Sequence, residues 1–285
     1  MEKTLLKAPA KINLYLNVLG KRSDGYHEIE TLMQAVDLFD EITIESSEDL
    51  EFSCDDPNLP GDSSNLALKA ALALKEKVYY PGAKIFLKKN IPYGSGLGGG
   101  SSDAAFVLRG LIRLYNLKID SAELLSLAAS IGSDVPFFLS NGQALAKGRG
   151  EIIESVSMPL NYHVLLIIPP RALSTAAIYG GLKKSLTSTR GNILLSKKLD
   201  EQRFMRSIER FHNDLETAAL SQAPELGVLR RFLQKAGCFY CSMSGSGSAY
   251  YGLFSDNITS LKNEEVLREK NCKFYAVRPI LLPLI

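Results

Sequence analysis

From Lys11 onward apolar and polar residues alternate: Ile12, Leu14, Leu16 and Val18 fall on one face, Lys11, Asn13, Tyr15 and Asn17 on the other. A period of two is the mark of a half-buried strand, and it sets Lys11 and Asn13 side by side. Gly20 to Gly25 reads as a turn centred on Asp24-Gly25, and Tyr26 to Val36 as the partner strand. Asp40–Ser46 and Glu51–Cys54 are further short strands. Leu66, Ala67, Ala70, Leu72, Ala73 and Leu74 recur at helical spacing within Asn65–Val78, and Tyr79-Tyr80-Pro81-Gly82 ends that helix. Ala83, Ile85 and Leu87 alternate with Lys84 and Lys88 and predict another strand. A helix is predicted from about Ser102 to Tyr115, and a second one starts at the capping-box-like pair Asp120 and Glu123 and ends at Ile131-Gly132. Beyond Met158-Pro159 come a strand at His163–Ile168, helices at Glu201–Phe211 and Pro224–Lys235, and strands at Ser248–Phe254 and Phe274–Pro279. The pattern predicts two mixed α/β domains, residues 1–157 and 158–285.

Composition narrows the class. The chain has 285 residues, 46% hydrophobic and 22% charged, which is the globular average and excludes disorder, collagen and coiled coil. A net charge of +2 gives no broad basic field, which argues against nucleic acid as a partner. The apolar runs Val164–Pro170 and Ile280–Ile285 fall short of a membrane span of about 18 residues, and the first residues lack a signal-peptide core. A soluble, cytoplasmic protein without a membrane partner is expected. Cys54, Cys238, Cys241 and Cys272 are too few for a disulfide scaffold, and Cys238-Phe-Tyr-Cys241 is a single CxxC without a second pair.

The candidate chemistry begins between the strand ending near Lys88 and the helix after it. There Gly94, Gly96, Gly98, Gly99 and Gly100 occupy five of seven positions. Glycine admits φ > 0 and lets a ligand approach the backbone amides; the helix behind adds unpaired N–H groups and the positive end of its dipole. Together these suit phosphate, with Ser101 and Ser102 offering hydroxyls. The loop lacks the Gly-Lys-Ser/Thr ending of a Walker A motif, and Ser101 breaks the third glycine of a dinucleotide fingerprint. A flexible connector capped by Ser and Asp is the plainer alternative.

Pro92-x-Gly94-x-Gly96-Leu97-Gly98-Gly99-Gly100-Ser101-Ser102-Asp103-Ala104-Ala105 resembles the phosphate loop of the GHMP kinase superfamily. Pro9-Ala10-Lys11-Ile12-Asn13-Leu14, Arg22-x-Asp24-Gly25-Tyr26-His27, Gly132-Ser133-Asp134-Val135-Pro136-Phe137-Phe138 and Met243-Ser244-Gly245-Ser246-Gly247-Ser248 resemble, in order, the signatures of its branch that acts on a cytidine-diphosphate alcohol in the non-mevalonate isoprenoid route. Ser95 stands where alanine is common, a small-for-small change. The resemblance implies two α/β domains with the active site in the cleft between them. It also implies ATP-dependent phosphorylation of the acceptor's 2-hydroxyl, with Mg²⁺ held mainly by the ATP phosphates.

It further implies roles for single residues. Asp134 becomes the base that takes the acceptor proton; on sequence alone a helix start with Pro136 explains it equally well. Lys11 becomes the cation beside that base, holding it ionised and polarising the hydroxyl. Pro92, Gly94, Ser95, Gly96, Leu97, Gly98, Gly99, Gly100, Ser101 and Ser102 become the ATP loop. Asn65, which also reads as a helix cap, becomes an adenine contact. Tyr26 and His27, with Thr175 and Tyr179 from the second domain, become the cytosine pocket, Tyr179 stacking on the ring. Asn13 and Gly245 become further acceptor contacts, though Gly245 also suits a plain turn. Asp103 is expected to cap the loop helix, and Arg149 to sit in a hairpin turn at Gly148-Arg149-Gly150-Glu151. No histidine or cysteine cluster at metal-ligand spacing is present, and oligomeric state is open. Two other readings stand beside it: a different GHMP kinase, such as a homoserine or mevalonate-pathway enzyme, and a nucleotide sensor that has lost turnover. Intact Lys11 and Asp134 speak against the sensor, which needs the loop but not the base.

Overall fold

The structure is a computed structural model that describes residues 2–182, 197–256, 268 and 270–284; Ile285, the last residue of the second apolar run, lies outside them. Two sheets organise the chain. In the first, β1 (Lys3–Lys21) and β2 (His27–Ser47) form a long antiparallel hairpin. The other edge of β2 is taken first by β5 (Gln143–Gly148) and then by β4 (Gly82–Lys88). β3 (Leu50–Cys54) runs parallel to β4, and β6 (Ile152–Ser155) pairs with β5. The second sheet has the order β10–β7–β9–β8, from Lys273–Val277, His163–Ile168, Tyr250–Phe254 and Tyr240–Met243.

Helices α1 (Leu66–Lys75), α2 (Gly99–Leu114) and α3 (Ser121–Ile131) bury Ala70, Leu74, Val107, Leu108, Leu124 and Leu127 with Met33, Ile42 and Ile85 of the first sheet. A second cluster joins Ile12, Leu14 and Tyr15 of β1 to Val164 and Leu166 of β7 and Tyr251 of β9. In the third, Leu215, Ala218 and Ala219 of α6 (Leu215–Gln222) and Leu229 and Leu233 of α7 (Gly227–Lys235) pack beside Leu165 and Tyr250 of the second sheet. Two short helices, α4 (Thr175–Gly180) and α5 (Glu201–Ile208), also belong to the second half. Among the described residues no helix is long and apolar enough to cross a membrane.

Three expectations are revised. The strands expected at 26–36 and 40–46 are one strand. Pro9 opposes Phe39 and Ala10 opposes Val36, so Asp37 and Leu38 form a bulge and not a turn. That bulge is held by the chain's tail, with Arg278 N donating to Asp37 Oδ1 at 2.6 Å. Secondly, β1 is buried on both faces, Lys11, Asn13 and Asn17 included: the second sheet packs on Ile12 and Leu14, and Gly96, Gly98 and Gly245 close over Lys11 and Asn13 on the polar face. Thirdly, α2 starts at Gly99, not Ser102, with Gly98 as its left-handed N-cap (φ 74°). Four glycine-loop residues thus join the helix or its cap, which propensity alone disfavours.

Candidate active site

β1 supplies the centre of the site. Lys11 and Asn13, two positions apart on one face, lie in direct contact: Lys11 Nζ donates to Asn13 Oδ1 at 2.6 Å. Asn13 Nδ2 in turn donates to Thr31 Oγ1 at 2.8 Å, and Thr31 Oγ1 donates to the Tyr15 carbonyl at 2.6 Å, which fixes the amide's orientation. Lys11 Nζ also donates to the Gly96 carbonyl at 3.0 Å and lies 3.3 Å from Asp134 Oδ2. An ammonium has three N–H groups, and these three partners occupy them. The Lys11 side chain is 4% exposed and that of Asp134 33%, so the cation is enclosed while the carboxylate opens outward. Asp134 does not cap a helix: the 3-10 turn Pro136–Leu139 begins at Val135 with no side-chain cap bond.

The glycine loop packs over Lys11. Lys11 N donates to the Leu97 carbonyl at 2.9 Å. A Cβ on Gly98 would lie 3.0 Å from two carbons of the Lys11 side chain, and one on Gly96 would lie 2.1 Å from the Ser244 carbonyl oxygen. Ser244, beyond β8, holds the loop from the other half of the chain: its hydroxyl donates to the Gly96 carbonyl at 2.9 Å. Ala249 N donates to the Ser95 carbonyl at 3.0 Å. Ser95 Oγ is spent inside the loop, on the Pro92 carbonyl at 2.6 Å.

The rings of His27 and Tyr179 stack with centroids 5.0 Å apart, β2 meeting α4. Burial pushes the imidazole's pKa down, and Lys21 adds to it. The Tyr179 phenol is pushed up by burial and, secondarily, by Asp134. Thr175 Oγ1 and Ser246 Oγ share a hydrogen bond of 2.8 Å, and the Arg149 guanidinium lies 4.8 Å from the Tyr26 ring centre.

Lys11, the glycine loop, Asp134 and the His27–Tyr179 pair face one cavity of about 920 Å³, within the range of small-molecule sites. It takes in Lys11, Asn13, Tyr26, His27, Asn65, Pro92, Gly94–Ser101, Asp134, Thr175, Tyr179 and Gly245. Ser102 alone among the expected residues does not line it. It is fully buried, on the side of α2 that packs into the core, and its Oγ has no partner. Asn65 lines the cavity while also capping α1, accepting from Ala67 N at 3.0 Å.

Asp103 is not a helix cap. It lies in a buried cluster that sequence reasoning missed: Lys89 Nζ donates to Asp103 Oδ2 at 2.6 Å and also to Asp40 Oδ2, and Lys89 and Asp103 both reach the cavity wall. Asp40 Oδ1 accepts from Asn90 N and Ile91 N at 2.6 and 2.8 Å, tying the entrance of the glycine loop to β2. Nothing local in the sequence marks Lys89; only the fold brings it beside Asp40 and Asp103. One ammonium serves two carboxylates. Burial, opposed by Lys89 and reinforced by Asp40, pushes the Asp103 pKa up to about 8. A carboxyl whose pKa is higher folded than unfolded binds its proton more tightly in the native state. Its stabilisation is therefore complete below about pH 4 and lost as pH rises through about 8. The melting temperature of the wild type should fall more steeply between about pH 5 and 8 than that of Asp103→Asn, as thermal melts across that range will read.

Comparison with known proteins places the chain in a family. The profile of the GHMP kinases N terminal domain matches residues 65–142, and that of the GHMP kinases C terminal domain residues 193–276. The 4-diphosphocytidyl-2-C-methyl-D-erythritol kinase of Syntrophomonas wolfei is 40% identical over 266 residues, covering 92% of this chain and 93% of that protein. The kinase of the same name from Syntrophotalea carbinolica is 40% identical over 281 residues, covering 96% and 98%. A crystal structure of 4-(cytidine 5'-diphospho)-2C-methyl-D-erythritol kinase superposes with a TM-score of 0.79 at 33% identity, over 97% of this chain and 99% of that one. A homoserine kinase from Cytophaga hutchinsonii has a TM-score of 0.73 at 20% identity and so shares the fold. With both domain profiles matched and relatives aligned over almost their whole length, the chain belongs to the 4-diphosphocytidyl-2-C-methyl-D-erythritol kinase family of the GHMP kinases.

Proposed function

We propose that this protein transfers the γ-phosphoryl group of ATP to the 2-hydroxyl of 4-diphosphocytidyl-2-C-methyl-D-erythritol, in the cytoplasm. The observation that carries the reading is the shared cavity. In it, a glycine loop at a helix N-terminus, a lysine–aspartate pair 3.3 Å apart and a stacked His–Tyr pair face one space. Phosphoryl transfer asks the protein for positioning and charge stabilisation more than for covalent chemistry, and the site divides accordingly. Amides of Gly98–Ser101 and the α2 dipole receive the phosphates. Asp134 takes the proton from the acceptor hydroxyl, and Lys11 fixes that carboxylate and stabilises charge developing on the oxygen. Tyr26, His27, Thr175 and Tyr179 take the cytidine end. His27 stays a neutral imidazole at pH 7, able to donate at one nitrogen and accept at the other.

Mg²⁺ fits as a companion of the triphosphate. Ser101, on the cavity wall in the first turn of α2, would be the chain's own hydroxyl for it. The ion would neutralise charge on the phosphate oxygens while keeping several of its waters.

A coupled ADP-release assay tests the reading by offering 4-diphosphocytidyl-2-C-methyl-D-erythritol, homoserine and mevalonate as acceptors. Turnover with the cytidine acceptor alone is expected, and preference for an acceptor without cytidine overturns it. Tyr179→Ala is expected to raise the KM for the cytidine acceptor roughly tenfold, from the about 1–3 kcal/mol that stacking on an aromatic contributes per base, with the KM for ATP little changed. An unchanged acceptor KM in steady-state kinetics would remove that ring from the pocket.

A further inference from the structure

Between α5 and α6 the chain runs through His212-Asn213-Asp214, a segment without a place in the chemistry above. It is clasped to β1: Leu16 N donates to the His212 carbonyl at 2.8 Å, and Asp214 N to the Leu16 carbonyl at 3.0 Å. Val18 N donates to Asp214 Oδ2 at 2.8 Å. Asn213, only 6% exposed, points the other way. Both N–H groups of its amide are used on the loop that follows β8, donating to the Met243 and Gly245 carbonyls at 2.8 Å each. Its oxygen accepts from Leu215 N at 2.9 Å, so the orientation of the amide is fixed. Gly245 has φ 55° and sits against the reacting centre: a Cβ there would be 3.2 Å from Asn13 Oδ1 and 3.3 Å from Lys11 Nζ.

We propose that Asn213 is a positioning residue for phosphoryl transfer, bracing the 244–247 loop from behind so that Gly245 closes on Lys11 and Asn13 and Ser244 keeps its hold on Gly96. The inference rests on the kinase reading above. The logic is geometric. Residue 213 spans two carbonyls that a free turn would leave to water, and only a side chain with two donors and one acceptor in a plane satisfies all three bonds. The segment that carries it is registered on β1, the strand that bears Lys11. The two backbone bonds of Leu16 set that register without the Asp214 side chain, and Asn213 alone carries it on to the loop, so an error at Asn213 shifts the loop against the lysine.

Asn213→Asp keeps the shape and the bond from Leu215 N but turns a carboxylate on two carbonyl oxygens. With ATP and 4-diphosphocytidyl-2-C-methyl-D-erythritol, kcat is expected to fall at least about tenfold, since a misplacement near 1 Å costs up to about a hundredfold. Both KM values should stay within about threefold. Exchange of the Gly247 amide, whose bond to the Ser244 carbonyl is 2.9 Å, should quicken. Asp214→Ala removes the neighbouring anchor of Val18 N and should lower the melting temperature while leaving kcat within about threefold of wild type. Wild-type kcat in Asn213→Asp, or an equal kcat loss in Asp214→Ala, overturns the proposal. Should Asn213→Asp fail to fold, Asn213→Ser, which cannot bridge both carbonyls, carries the same expectations. If the wild-type protein does not phosphorylate the cytidine acceptor, the kinase reading has failed by itself. Hydrogen exchange in the 244–247 loop then still decides: unchanged exchange in Asn213→Asp overturns the bracing role.

Discussion

Asp134→Asn is expected to lower kcat by at least about a hundredfold while leaving ATP affinity near wild type. The amide is isosteric, so the 3-10 turn behind it, which takes no bond from this side chain, should not move. What changes is chemical. The carboxylate 3.3 Å from Lys11 Nζ is replaced by a group with no affinity for a proton. Loss of a general base costs about 10²–10⁴ in rate, or about 3–5 kcal/mol of barrier. Lys11 keeps its bonds to Asn13 and to the Gly96 carbonyl, so the loop that would receive ATP remains braced. Calorimetric titration with a non-hydrolysable ATP analogue, beside steady-state turnover, separates the two effects. A near-normal kcat would take Asp134 out of the base role, and a lost nucleotide affinity would make it a loop support.

Gly96→Ala is expected to be nearly as damaging by a different route, with kcat/KM for ATP down roughly a hundredfold. The added Cβ would meet the Ser244 carbonyl oxygen at 2.1 Å, and φ at this position is +79°. The left-handed backbone alone costs an alanine about 1–2 kcal/mol. The clash is with backbone that Asn213, Ala249 and the Ser244 hydroxyl hold from several sides, so it cannot be relieved by a rotamer. Relief requires the two loops to part, and a displacement near 1 Å is enough for about a hundredfold in rate. Gly61→Ala, at a site with no neighbour within 4 Å and no positive φ, is the matched control and should be silent in the same assay.

What the sequence disclosed followed from locality. The alternation after Lys11 placed Lys11 and Asn13 on one strand face, and they touch. The five glycines of residues 94–100 marked a strand-to-helix junction, and α2 begins inside them. The strand at His163–Ile168 lies where the apolar run put it. What stayed hidden depends on partners far along the chain. Lys89 carried no local sign because Asp40 and Asp103, its two counter-charges, come from β2 and α2. Asn213 gave no local sign, since its bonds reach residues about thirty positions away. β8 went unread because Tyr240–Met243 is only four residues long, and α6 because its eight residues show no clear apolar stripe. Asp103 was misassigned for a related reason. A cap sits just before the first turn, and α2 starts three residues earlier than expected, with Gly98 as its cap, so Asp103 falls inside the helix, where its carboxylate meets Lys89.

The contact between His27 and Tyr179 sets a condition on admission. Their ring centres are 5.0 Å apart, enough for two rings and too little for three. A flat pyrimidine sliding between them needs roughly 7–8 Å, twice the about 3.5–4.0 Å spacing of carbon atoms in contact. A sandwiched base therefore has to prise β2 and α4 apart by some two to three ångströms. A guest resting on the rim of the pair meets no such toll. The width of this aromatic gap in a cytidine-bound crystal thus tells the two postures apart by a single measurement.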